Sequence, residues 1–319
     1  MILEVQEVNH PIALKKGIKL FMARADLLHP LASGNKFYKL KPNIDVAKAN
    51  GFKQLLSFGG AFSNHIHAFA FIAKKNGFKS VGIIRGEKEY ASNPTLKDVQ
   101  AAGMTLEFVT REEYKCRNDA DYLKALSLRF PDAFIIPEGG SSQLAVQGCV
   151  RLADEINLIH TSDVITVACG TGATFAGIVC GLNEKQTAIG YSALKDHSLA
   201  QRVDSFIAKE GCQHHQYKIQ QSDFGGFARL NKAVLEFVLD WLDVTGILLD
   251  PVYTSKMCMR LMQQIELGEF QAGTSITIIH SGGLQGWRGM EKRVVKLLGA
   301  PTWKKISTSL KKMSVGRII

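Results

Sequence analysis

Long apolar runs are missing from this sequence. None approaches the roughly 20 residues that a membrane helix needs, and the segment Met1 to Ile18 has no basic start, apolar middle or small-residue cleavage site of the kind that marks a signal peptide. The chain is therefore expected to stay in the cytosol. Cysteine is sparse, and its spacing shows no pairs. The six cysteines, at positions 116, 149, 169, 180, 212 and 258, form none of the close pairs of a zinc site or a disulfide framework, and they are expected to be reduced, buried packing residues. Internal repeats, low-complexity tracts and proline-rich linkers are also absent, so two domains would not simply be strung in sequence.

What is plentiful is apolar side chain, 46% of 319 residues, enough to bury a core for one large or two modest domains. The formal charge is +10, but much of the excess sits near the C-terminus, in Arg288, Lys292, Arg293, Lys296, Lys304, Lys305, Lys311, Lys312 and Arg317. That placement reads as a solvated helix face and a loosely held tail. Aromatics are not interleaved with these charges as a nucleic-acid stacking platform requires, so no nucleic-acid partner is expected. The positive balance also favours an anionic cofactor and substrate.

Short β-rich runs alternate with helical patterns through most of the chain, the signature of an α/β fold with mainly parallel sheets covered by helices. Strands are predicted at Gln54 to Phe58, Ser80 to Ile84, Thr105 to Val109, Ala133 to Ile136, Val164 to Ala168, Ala188 to Ala193, Gly246 to Leu249 and Ile276 to His280. Helices are predicted at Ser63 to Lys75, Thr95 to Ala102, Ser142 to Ile156, Thr174 to Leu182, Asn231 to Leu242 and Ser255 to Leu267, each opening on a residue able to cap it. Glycines gather after the strands, at Gly59-Gly60, Gly139-Gly140, Gly170-Thr171-Gly172 and Gly282-Gly283. Ligands of open α/β sheets bind beyond the carboxyl ends of strands, where glycine lets the backbone come close.

Two of these clusters, and one further turn upstream, carry chemistry. Gly170-Thr171-Gly172-Ala173-Thr174 follows a strand and opens a helix, aiming amides, two hydroxyls and the positive end of a helix dipole at an anion. Its glycine spacing is wrong for G-x-G-x-x-G, and no acidic residue ends the next strand, so a single phosphate is favoured over a dinucleotide. Gly59-Gly60-Ala61-Phe62-Ser63-Asn64-His65 puts three polar residues at a helix start. There they serve either as a simple cap or as ligands for a carboxylate and a phenolic oxygen. Ser33-Gly34-Asn35-Lys36-Phe37-Tyr38-Lys39 places two lysines in a turn that runs into a helix. Two surface lysines are one reading. The other is a Schiff-base lysine, kept unprotonated by burial and by a neighbouring cation.

In this order and spacing the motifs resemble the pyridoxal 5′-phosphate (PLP) dependent family that contains 1-aminocyclopropane-1-carboxylate deaminases and D-cysteine desulfhydrases. The resemblance runs from Arg24-Ala25-Asp26 through Ser-Gly-Asn-Lys, Gly-Gly-x-x-Ser-Asn-His, Pro137-Glu138-Gly139-Gly140-Ser141, the Gly/Thr loop and Asp250-Pro251-Val252-Tyr253 to His280-Ser281-Gly282-Gly283. It implies a tryptophan synthase β-like α/β fold, type II among PLP enzymes. Residues 1–44 with 151–319 would form the large PLP-binding domain, 45–150 a smaller inserted one, and the enzyme would be a homodimer. By the same resemblance Lys36 carries PLP as a Schiff base and moves the substrate's Cα proton. Asn64 bonds the cofactor's phenolic oxygen, Gly170, Thr171, Gly172, Ala173 and Thr174 hold the phosphate, and Ser281 lies by the pyridine nitrogen. The small amino-acid substrate lies against Ser63, Asn64, His65, Gly140 and Thr254, and Ser63 and Tyr253 join Lys36 in catalysis.

Three positions bear on which member of the family this is. Ring-opening deaminases have Glu after the tyrosine and Leu in the His-x-Gly-Gly motif, where this chain has Thr254 and Ser281; D-cysteine desulfhydrases have threonines at both. A hydroxyl by the pyridine nitrogen favours a neutral ring, which suits β-elimination to pyruvate, ammonia and sulfide. Phe227 stands where relatives carry a second active-site tyrosine and has no hydroxyl to move a proton, and the run Leu284 to Gly289 departs from the Pro-Ala-Leu expected there. The alternatives are 1-aminocyclopropane-1-carboxylate deamination to 2-oxobutanoate and ammonia, and a PLP- or nucleotide-binding protein without this catalysis.

Overall fold

The alternating pattern folds into two separate sheets, seen in a computed structural model that describes residues 2–29, 31–32, 34–213, 216–226 and 228–315. The strands are β1 (Val5–Glu7), β2 (Lys19–Ala23), β3 (Gln54–Gly60), β4 (Lys79–Arg85), β5 (Met104–Val109), β6 (Ala133–Ile136), β7 (Val164–Cys169), β8 (Thr187–Ser192), β9 (Tyr217–Gln221) and β10 (Ser275–Ile279). Six of them form a sheet in the order β1-β2-β10-β7-β8-β9 and four form a second in the order β5-β4-β3-β6. Every pairing is parallel except the edge pair β1 and β2.

Parallel sheets need both faces covered, because their strands are apolar on both sides. The helices provide this cover: α1 (Pro11–Lys15), α2 (Asn35–Ala49), α3 (Asn64–Lys75), α4 (Pro94–Ala101), α5 (Arg111–Lys115), α6 (Ala120–Arg129), α7 (Gln143–Ile159), α8 (Ala173–Cys180), α9 (Leu199–Glu210), α10 (Lys232–Thr245), α11 (Thr254–Glu266), α12 (Glu291–Leu298) and α13 (Ala300–Val315). One face of the larger sheet packs on Val146, Leu152, Phe175 and Val203 from α7, α8 and α9; the other packs on Trp241, Met257 and Leu261 from α10 and α11. The smaller sheet lies between Ile66, Phe69 and Leu96 of α3 and α4 and Tyr114 and Leu126 of α5 and α6.

Seven of the eight predicted strands are present, and the exception is Gly246 to Leu249. Gly246 ends α10 in the left-handed region, at φ 71°, and the next residues form no strand. Their carbonyls bond to side chains instead: Leu248 O faces His280 Nε2 at 2.9 Å, and Leu249 O accepts from Trp287 Nε1 at 2.8 Å. The unpredicted strands β1, β2 and β9 are short or lie at a sheet edge. Ser63, Ser142 and Asn231 cap their helices as expected. The predicted starts at Thr95, Thr174 and Ser255 each move a residue earlier, to Pro94, Ala173 and Thr254, with Asn93 capping the first of these.

Two other expectations are corrected. Cys180, at the end of α8, and Cys212, just past α9, form a disulfide with Cα atoms 5.6 Å apart. Adjacent helix ends bring them together across 32 residues, so no local spacing could have revealed the pair. Up to Val315 the basic C-terminal segment is helical, in α12 and α13, not a loose tail. Ile306 of α13 is fully buried and packs with Trp303 and Trp287, while Arg293 Nε donates to Leu230 O at 3.0 Å; Arg317 lies outside the described residues.

A buried ion pair ties β2 to β10 where both approach the site. Arg24 makes two hydrogen bonds to the Asp26 carboxylate, at 2.9 and 2.8 Å, and a third to Gln6 Oε1 at 2.9 Å. The Asp26 amide donates to His280 O, and His280 Nδ1 stands 4.0 Å from Asp26 Oδ1. Removing one partner of such a pair leaves an uncompensated charge. Asp26→Ala is therefore expected to lose roughly 3–5 kcal/mol in chemical denaturation, whereas the exposed pair Lys41–Asp45 should change stability by less than about 1 kcal/mol when Asp45→Ala removes it.

Candidate functional site

Five loops converge beyond the carboxyl ends of β2, β3, β6, β7 and β10, and close backbone contacts lock them together. Gly34, at φ +78°, touches the loop after β10 so closely that a Cβ there would lie 1.8 Å from Ser281 O. Gly283, at φ +89°, lies against Asn64, whose Nδ2 would be 2.5 Å from such a Cβ. Gly139 meets Thr171, Gly140 meets His65, and Gly170 meets the Tyr253 ring, at 3.1, 3.4 and 3.4 Å by the same measure. The predicted site residues therefore share one locus, with Ser33 and Phe227 outside the described residues.

Lys36 sits in the first turn of α2, half-buried, with Nζ 3.2 Å from Asn35 Oδ1. Asn35 Nδ2 donates to Thr174 Oγ1 at 2.7 Å, which joins the lysine turn to the Gly/Thr loop. Burial lowers the Lys36 pKa to about 8, against the opposing influence of Cys149 and Asp250. Lys39, one helical turn on and 2% exposed, is lowered to about 7 by burial and by the charge of Lys36. Cys149 of α7 lies beside both, its thiol pushed up to about 11 by burial.

The Gly/Thr loop leads into α8 through Gly172 at φ 95°, and the first-turn amides of α8 have no acceptor within the helix. Across the site, Ser63 Oγ accepts from Ile66 N at 3.2 Å and caps α3, so the hydroxyl proton is free to donate elsewhere. His65 is 3% exposed, with Nε2 2.7 Å from Ser57 Oγ. Because Ser57 donates to Ile136 O at 2.8 Å, it accepts from His65. The ring proton is then on Nε2, which leaves Nδ1 as a buried lone pair with no partner among the described residues. Burial, Lys36 and Lys39 hold the His65 pKa well below its usual value, so the ring is neutral.

Asp250 has a role that the motif alone did not disclose. Its Oδ1 accepts from Val252 N and Tyr253 N, at 3.0 and 2.8 Å, and its Oδ2 from Thr254 N at 2.7 Å. Three charge-assisted bonds commit this carboxylate to the start of α11. An Asp before Pro at a helix entry is the signal that could have revealed it. Thr254 is fully buried, and its hydroxyl has no partner among the described residues. Burial raises the Tyr253 phenol well above its normal pKa, with Asp250 and Glu138 adding to the effect, so it keeps its proton. Lys256, also fully buried, donates to Asp223 O and Gly226 O, at 2.6 Å each. It thereby holds a loop in which Phe224 and Ala228 adopt positive φ, 41° and 54°.

The arrangement combines a half-buried lysine of lowered pKa, a glycine-rich helix start open to an anion, an asparagine amide, and an unpaired buried hydroxyl. These donors fit PLP, which presents an aldehyde, a phosphate and a phenolic oxygen, and with the two-sheet fold they define a PLP enzyme of fold type II. Residues 10–282 match the model of the family described as "Pyridoxal-phosphate dependent enzyme". The chain is 30% identical to a putative 1-aminocyclopropane-1-carboxylate deaminase of Pyrococcus furiosus, over 85% of this chain and 86% of that one. It is 28% identical to the mitochondrial bifunctional D-cysteine desulfhydrase/1-aminocyclopropane-1-carboxylate deaminase of Arabidopsis thaliana, over 93% and 79%. A crystal structure titled as an ACC deaminase homologue superposes with a TM-score of 0.84 at 25% identity, covering 93% of this chain and 94% of that one. The chain belongs to the pyridoxal-phosphate dependent enzyme family, and its cofactor is PLP.

The two lysines make stability depend on pH. Between their folded values, about 7 and 8, and the ordinary 10.5, the unfolded chain binds more protons than the folded one. The cofactor-free protein should therefore gain stability as pH rises through that window. Lys39→Met is expected to be more stable than wild type at pH 7, with the gap closing towards pH 10.5. A gap in melting temperature that does not vary with pH would contradict this.

Proposed function

We propose that the enzyme is D-cysteine desulfhydrase-like, converting D-cysteine and water to pyruvate, ammonia and sulfide by β-elimination. The observation that carries this reading is the pair of hydroxyl residues, Thr254 and Ser281, at two positions where ring-opening deaminases have Glu and Leu. Asp250 comes near the site, but its carboxylate is committed to three amides. A neutral pyridine ring fits that environment.

When bound, PLP supplies the electron sink that accepts the pair left by the Cα–H bond and lets the Cβ substituent depart. The chain's residues do the rest. Lys36, its pKa lowered to about 8 mainly by burial, is unprotonated often enough near neutrality to link to the aldehyde, and afterwards it takes the Cα proton. The amides and hydroxyls of Gly170 to Thr174 bind the phosphate. Asn64 donates to the phenolic oxygen, and Ser63 donates to the substrate carboxylate at the start of α3. His65, its ring neutral, lines that end together with Gly140. Tyr253 retains its proton and serves as a donor to the departing sulfur rather than as a base.

Relatives named for both activities support 1-aminocyclopropane-1-carboxylate deamination as the second reading. We further read residues 1–44 with 151–319 and residues 45–150 as two domains with PLP between them, and the enzyme as a cytosolic homodimer. Product analysis decides the substrate. D-cysteine should yield pyruvate and sulfide at a kcat/KM at least about 100-fold above that for 2-oxobutanoate release from the ring substrate, a gap of roughly 2.7 kcal/mol in transition-state stabilisation. Lys36→Ala should abolish turnover. A preference for the cyclic substrate would overturn the assignment, and turnover of neither would support cofactor binding without this catalysis.

A further inference from the structure

The turn after β10 reads Gly283-Leu284-Gln285-Gly286-Trp287-Arg288-Gly289. Gln285 Nε2 donates to Asn64 Oδ1 at 2.6 Å, across 221 residues of sequence. A carboxamide has one acceptor end and one donor end, so engaging its oxygen fixes the direction of its NH2. In Asn64 that NH2 turns towards Gly283, where only glycine leaves it room, and it has no acceptor among the described residues.

The turn that carries Gln285 is itself anchored. Trp287 is fully buried, its Nε1 bonded to Leu249 O at 2.8 Å. Arg288, three residues after Gln285, bonds to Asp98 of α4, and Asp98 Oδ2 also faces His67 Nε2 at 3.0 Å. The turn thus grips α3 near its start through Gln285 and grips the α3–α4 pair again through Arg288.

We propose that Gln285 is a positioning residue: by occupying Asn64 Oδ1 it aims the Asn64 NH2 at the cofactor's phenolic oxygen. The inference rests on the role given to Asn64 above. With PLP bound, an N–H donated to its phenolic oxygen would stabilise the deprotonated oxygen, so the bound cofactor would lose its proton at lower pH. With Gln285 removed, the Asn64 amide is free to rotate and the competing donor is lost.

The test is a pH titration of the visible absorption band of the PLP-loaded enzyme, with PLP affinity measured alongside, for wild type, Gln285→Met, Asn64→Ala and the double variant. Gln285→Met, close in shape but without the amide, should raise the titration midpoint by about 0.5 to 1 pH unit and weaken PLP binding roughly three- to tenfold. Asn64→Ala should shift it at least as far, and the double variant should match Asn64→Ala, since a residue acting through Asn64 has no effect without it. A midpoint unchanged in Gln285→Met but raised in Asn64→Ala would overturn the inference and leave the role of Asn64 intact. Equal shifts from Gln285→Met in both backgrounds would also overturn it, because Gln285 would then act through the fold. No shift in Asn64→Ala would overturn the role of Asn64 and the inference together.

Discussion

The contact between Gly34 and the carbonyl of Ser281 is the constraint on which the site depends. The turn that delivers Lys36 and the loop that closes β10 approach so closely that any Cβ at position 34 would overlap the opposing backbone. The Arg24–Asp26 pair, bonded through the Asp26 amide to His280 O, holds the two segments in that register. From this junction the Asn35–Thr174 bond reaches the Gly/Thr loop, and Gly283 against Asn64 reaches the helix that follows the smaller sheet's β3. Function here is a matter of backbone proximity first and of side-chain chemistry second.

Electrostatics follow from that packing. Burying Lys36 and Lys39 one helical turn apart makes two ammonium charges costly, so their protons are held loosely. Asp250, the carboxylate whose charge acts on Lys36, is spent on three amides, and His65 is held neutral with its proton directed into the sheet. The site therefore offers hydroxyl, amide and neutral imidazole groups around two easily deprotonated lysines. That environment suits an anionic cofactor and a small zwitterionic substrate.

Much of this could be read from the sequence, because parallel strands announce themselves as apolar runs and their carboxyl ends as glycine clusters. The Gly/Thr loop, the start of α3 and the Lys36 turn all fell where residue type and spacing put them. What could not be read depends on contacts between distant segments. The Leu248 and Leu249 carbonyls bond to the side chains of His280 and Trp287, so an apolar run that looks like a strand is none. The Cys180–Cys212 pair joins the ends of neighbouring helices, and the buried Lys256 and the Gln285–Asn64 bond show no local signal at all. On residues alone Lys36 and Lys39 read as two surface lysines; the resemblance to a family reversed that for Lys36, and the fold buries Lys39 and half-buries Lys36.

The central claim is that Lys36 is the residue that carries the cofactor, and borohydride reduction of the PLP-loaded protein followed by peptide mass mapping tests it most directly. The account predicts one pyridoxyl group per chain, on Lys36, even though Lys39 lies one turn away with a pKa as low. Label on Lys39, or no label at saturating PLP, would contradict it.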